Sequence, residues 1–137
     1  MSDALEQVNL QRFMNDCVRT FEELEALLWL FAHPNEGVTV RTLARTLGIV
    51  ESTMQEAVDG LIASHLLAHV TGSVDLIRYE PASLDLGANV ALLAAAHERD
   101  RFEVVRIVAE NSMLRIRRSA LQTFADCFVV RKPVKRG

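Results

Sequence analysis

LARTLGIVESTMQEAVDGLIASHLLAHV (residues 43–70) holds two apolar stripes on either side of a glycine. Leu43 and Leu47, with Ala44 between them, share one side of a helix predicted over 40–47. Gly48-Ile49 turns the chain, and residues 52–64 place Met54, Val58, Leu61, Ile62 and His65 on one face of a longer helix. Two short helices about a glycine, the second the longer, have helix-turn-helix spacing. Residues 66–70 and 74–79 then flank Thr71-Gly72-Ser73 as two short strands, and Pro81 ends the hairpin.

Upstream, Leu10, Phe13, Met14, Cys17, Val18 and Phe21 recur at helical spacing. Thr20-Phe21-Glu22-Glu23 reads as a capping box, which favours a helix break near Thr20 over one bent helix across 4–32. Leu24, Leu27, Leu28 and Phe31 form the next stripe, stopped by His33-Pro34-Asn35. Val38-Thr39-Val40 is too short for more than an edge strand. Downstream, a helix is expected from Asn89 to about Glu110, with a charged interruption at 98–101. Ser112 can cap a last helix whose stripe is Met113, Ile116, Ala120, Leu121, Phe124 and Phe128.

At 137 residues the chain fits one small domain with a helical extension. It is 50% apolar and 24% charged, with mean hydropathy +0.14, which supplies a core and argues against disorder. The longest apolar runs, 26–32 and 90–96, are too short to span a membrane. No basic segment precedes an apolar one at Met1-Ser2-Asp3, so no secretory signal is expected. The expected compartment is the cytoplasm, with Cys17 and Cys127 as reduced, buried thiols. Net charge −3 conceals an asymmetry: residues 1–98 carry five arginines against fourteen carboxylates, and 99–137 carry ten Lys+Arg against four. Such asymmetry marks a nucleic-acid arm, a self-complementary dimer, or an ordinary solvated face.

The element order, with 43–70 at its centre, resembles a winged helix-turn-helix domain of the bacterial transcription-regulator kind. Ala44 and Gly48 stand where that motif has a small residue and its turn glycine. Met54 and Val58 stand where its second helix packs inward, and Leu66-Leu67 leads into the wing. The stretch 119–128 also resembles the tail of small uncharacterised bacterial winged-helix proteins. The fold implied is mainly α with a small β-hairpin, a winged helix-turn-helix plus C-terminal helices. Its expected parts are an N-terminal helix (1–20), the winged domain (21–86), a C-terminal helical extension (87–130) and a disordered basic tail (131–137). In the resembling regulators terminal helices pair two protomers, so Ile116, Leu121, Phe124 and Phe128 are the expected homodimer interface.

A DNA-reading winged helix needs side chains at base edges and cations at phosphates. Arg41 and Arg45 on the first helix of the motif, and Arg78 at the far end of the wing, are the candidate phosphate contacts. Ser52, Thr53 and Gln55 are the candidate readers at the start of the second helix. Against them, residues 46–77 contain no Lys or Arg, while Glu51, Glu56, Asp59 and Asp75 contribute −4. Duplex affinity comes largely from phosphate neutralisation, so weak or indirect DNA binding is the expectation. The same residues fit a second function: an interaction module whose Glu51, Glu56 and Asp59 face a basic protein partner. In the blander reading Arg41 and Arg45 are solvated helix arginines.

His65 and His69 are four apart, but the passage into the hairpin between them breaks the helical register a metal pair requires. No metal or cofactor is expected. The sequence holds no glycine-rich phosphate loop, no nucleophile elbow and no HExxH, so no enzyme is expected.

Overall fold

The structure, a computed structural model, describes residues 2–73 and 75–136, with side chains described over 6–73 and 75–127. The chain runs α1 (Ser2–Cys17), α2 (Phe21–Ala32), α3 (Val40–Leu47), α4 (Glu51–Ala63), β1 (Leu67–His69), β2 (Ile77–Tyr79), α5 (Leu84–Arg99) and α6 (Arg101–Arg136). The break near Thr20 is present. Thr20 is extended and its Oγ1 accepts from the Glu23 N–H at 3.0 Å, while the Glu23 carboxylate accepts from the Arg19 N–H at 2.7 Å. Glu23 is buried, and desolvation pushes its carboxyl pKa up against the opposing pull of the backbone hydrogen bonds its carboxylate accepts from Arg19 and Thr20. Gly60 of α4 lies over this carboxylate, and a Cβ there would run into Glu23 Oε2. A glycine inside a helix is thereby explained by the close crossing of α2 and α4.

Thr39 caps α3 by accepting from the Thr42 N–H at 3.1 Å, and Gly48 ends it at φ +69. The end of α4 uses the same left-handed turn without a glycine. His65 has φ +65, its N–H bonds Ile62 O at 2.9 Å, and the Leu66 N–H reaches Leu61 O at 3.0 Å. This is a Schellman ending with a Cβ where glycine is preferred. His65→Gly is therefore expected to raise unfolding stability by about 1 kcal/mol in chemical denaturation. An unchanged or lowered midpoint would mean that the imidazole contributes more than the strain costs.

β1 and β2 pair antiparallel in the register Leu67↔Tyr79, Ala68↔Arg78, His69↔Ile77. The edge strand expected at 38–40 is reduced to a single bridge, Val38↔Ile77, because Thr39 is already committed to capping α3. One core joins Leu24, Leu27 and Leu30 of α2 to Met54 and Leu61 of α4, with Ile77 of the wing. It continues through Phe13 and Met14 of α1 to Leu93 of α5 and Val104 and Ile107 of α6.

The C-terminal helices depart from the sequence expectation. The break falls at Asp100, inside the charged interruption, and not between Glu110 and Ser112. Asp100 is extended (φ −154, ψ 90), and its Oδ1 accepts from the Glu103 N–H at 3.2 Å, so it caps α6. Asn111 continues the helix and is 3% exposed. Its Nδ2 donates to Gln11 O at 3.2 Å and its Oδ1 accepts from Gln11 Nε2 at 3.4 Å, tying α6 to α1. A residue type that commonly ends helices is here satisfied by a neighbouring one. The expectation for the tail 131–137 concerns residues whose side chains lie outside those described.

Candidate nucleic-acid interface

α4 buries Met54, Ala57, Val58 and Leu61, which turns Glu51, Ser52, Gln55, Glu56 and Asp59 outward on one exposed face. Thr53 is half-buried at its margin. The expected readers and the expected acidic residues thus occupy the same face. Gln55 Nε2 donates to Asp59 Oδ1 at 2.9 Å, so the amide best placed to read a base is engaged by its own helix. Val50, at the N-cap position, provides no side-chain cap, which leaves the Glu51 carboxylate to complement the positive end of the helix.

Arg41 and Arg45 lie one turn apart on α3, both exposed. Arg41 Nε sits 3.4 Å from Glu51 Oε1, whereas Arg45 makes no ion pair among the described residues. Arg78 is held by Glu80 at 3.0 Å on the wing. Two of the three candidate phosphate contacts are therefore already opposite a carboxylate. These pairs are solvent-exposed, so exchanging them for a phosphate costs little.

A groove between α3, α4 and the wing collects Thr39, Arg41, Glu51, Gln55, His69 and Asp75. A second hollow joins Arg41 and Arg45 to Gly48, Val50 and Glu51. Arg78 lines neither. Sequence reasoning did not single out Thr39, and it weighed His69 only as a metal ligand. Their place beside α4 depends on the fold-back of β1 and β2. His65 lies in the left-handed turn and His69 on β1, so the two do not share a helix face. Among the described residues no group of three or more His, Cys, Asp or Glu is placed to hold a metal ion.

The expected pairing stripe lies on α6 beyond its packing against α1. Every described side chain from Ile116 to Cys127 is exposed, with Ile116 and Leu121 at 64% and Phe124 at 61%. Phe128 lies outside the described side chains. Among the described residues no helix is long and apolar enough to cross a membrane.

A mutant of MepR from S. aureus, solved bound to an oligodeoxyribonucleotide, matches over 93% of this chain and 93% of that chain, with TM-score 0.51 and 14% identity. The chain has a winged-helix fold. A crystal structure of MepR, a transcription regulator of the Staphylococcus aureus multidrug efflux pump MepA, matches over 91% of this winged helix and 93% of that chain, with TM-score 0.49 and 15% identity. No family model matches the sequence, and no curated protein matches it. The mainly helical architecture with one small antiparallel hairpin agrees with the class expected from sequence.

Proposed function

We infer that the chain is a winged-helix regulatory protein of transcription-regulator type that acts as a homodimer and binds duplex DNA weakly. The observation that carries the reading is the likeness, along almost the whole chain, to a regulator solved with an oligodeoxyribonucleotide. In this reading the stripe of Ile116, Leu121, Phe124 and Phe128 pairs two protomers in the cytoplasm. Arg41 and Arg45, with Arg78 at the wing, meet phosphates, and Ser52, Thr53 and Gln55 approach base edges.

Charge sets the strength of that contact. Two to three phosphates neutralised per protomer give a dimer a log K against log salt slope of about −4 to −5. Arg45→Ala is expected to weaken all duplexes alike, by about fivefold, whereas Gln55→Ala relaxes preference among sequences. Fluorescence anisotropy with a selected duplex and a random one, at 50 mM and 150 mM salt, separates the two effects. Sequence-selective loss with Arg45→Ala would contradict the assignment.

The acidic face of α4 favours a second reading, in which Glu51, Glu56 and Asp59 hold a basic protein partner and DNA is not bound. Wild-type protein that shifts no duplex even near 50 mM salt would leave that reading in place of the first.

A further inference from the structure

Away from α4 and the wing, α1 and α6 cross beside a hollow of about 270 Å³ lined by Arg12, Arg115 and Arg118. Asn15 lines it as well, with Val8 and Leu114 as its apolar wall. No carboxylate is in the lining, although residues 1–98 are strongly acidic. Arg115 is fixed in place: one guanidinium nitrogen donates to Asn15 Oδ1 at 2.8 Å and another to Arg19 O at 2.9 Å. Both acceptors are neutral, and three of the five donors of a guanidinium are left over. The buried carboxylate of Glu23 acts on Arg115 electrostatically but does not line the hollow. Arg12 and Arg118 make no ion pair or hydrogen bond among the described residues.

Three guanidiniums gathered with no carboxylate in the lining repel one another, and the anchoring of Arg115 prevents it from swinging away. An anion placed among them removes the repulsion and gains charge-assisted hydrogen bonds. The apolar stripe of α6 is centred about 140° round the helix from the arginine face at 100° per residue. Pairing centred on that stripe therefore keeps Arg115 and Arg118 off the middle of the interface.

We propose that the hollow formed by Arg12, Arg115 and Arg118 binds a phosphate group, either free phosphate or the phosphate of a small metabolite. Triple positive charge with no carboxylate suits a dianion better than a monovalent acid. The volume admits a phosphate and a short apolar or sugar-sized portion against Val8 and Leu114. Because the ligand bridges α1 and α6, its binding is linked to the folded state. At tenfold excess over its dissociation constant it raises the melting temperature of a chain this size by about 4 °C.

The full chain is titrated with inorganic phosphate and with a nucleoside monophosphate, against potassium chloride at matched ionic strength. The expected result is saturable binding of one anion per protomer, accompanied by that rise. Arg12→Gln and Arg118→Gln, both at exposed positions, are each expected to weaken binding at least tenfold without lowering the ligand-free melting temperature. Tighter binding of the monophosphate identifies a metabolite site, and equal binding identifies a free-phosphate site. A rise no larger than that with chloride, or one retained in both variants, overturns the proposal. So does loss of duplex binding in the two variants without any phosphate binding by wild type, which would assign the arginines to a nucleic-acid backbone.

Discussion

Phe124→Asp is expected to raise the dissociation constant of the homodimer about a thousandfold, giving monomer at tens of micromolar. Phe124 stands with Ile116 and Leu121 on the part of α6 that extends beyond α1, where the described side chains are exposed. A two-fold interface buries each residue twice. Burying one phenylalanine side chain contributes about 1.5–3 kcal/mol, so the pair contributes about 4 kcal/mol, and each aspartate adds a desolvated charge. Ser119→Asp, on a different face of the same exposed segment, is the control for an added charge. Sedimentation velocity or light scattering reads the result directly. Wild-type protein that is monomeric at tens of micromolar removes the dimer from the proposal.

Replacing Glu51 and Glu56 by glutamine is expected to strengthen binding to any duplex about thirtyfold at low salt. A two-fold dimer loses four negative charges from the faces that approach DNA. At about 8 Å in water each costs about 0.5 kcal/mol against a nearby phosphate, or about 2 kcal/mol in all. Glu51→Gln also removes the carboxylate opposite Arg41. The gain is expected to shrink at 500 mM salt, because exposed charges are screened over a few ångströms there. An affinity unchanged at both salt concentrations means that α4 does not face the duplex. If the same pair of changes abolishes capture of a basic protein partner, the interaction-module reading is favoured.

Much of this protein is legible one segment at a time. The Thr20 and Glu23 box, the Gly48 turn and the stripe of Met54, Val58 and Leu61 act over three to seven residues. Their effect on the backbone therefore appears in the residue order itself. The acidic character of the α4 face was readable for the same reason. Once the helix is assigned, its periodicity says which side chains turn outward.

Where Glu110-Asn111-Ser112 resembled a helix end, local rules failed for a stated reason. Asn111 is a poor helix residue in isolation, but it is buried against Gln11, a hundred residues earlier, and that partner satisfies its amide. Arg115 tells the same story. By sequence it belongs to a basic C-terminal segment that could have reached DNA, whereas in the fold it is held by Asn15 and Arg19 of the α1 end. Gly60 inside α4 is explained in the same way, by the Glu23 carboxylate of α2 beneath it.

The sequence by itself determined the first four helices, the turn between α3 and α4, the hairpin and the sign of charge on each face. Those properties follow from caps, periodicity and ionisation, all set within a few residues. Only the tertiary structure decided that α1 packs with α5 and α6, that α6 continues through Asn111, and that Arg12 meets Arg115 and Arg118 beside one hollow. Those are choices between partners about a hundred residues apart. Apolar burial drives such pairings, and burial is non-directional: it rewards any packing that removes the surface from water. What selects one packing is the fit of particular side chains across the crossing, such as Asn111 on Gln11, and that fit exists only once both helices are in place.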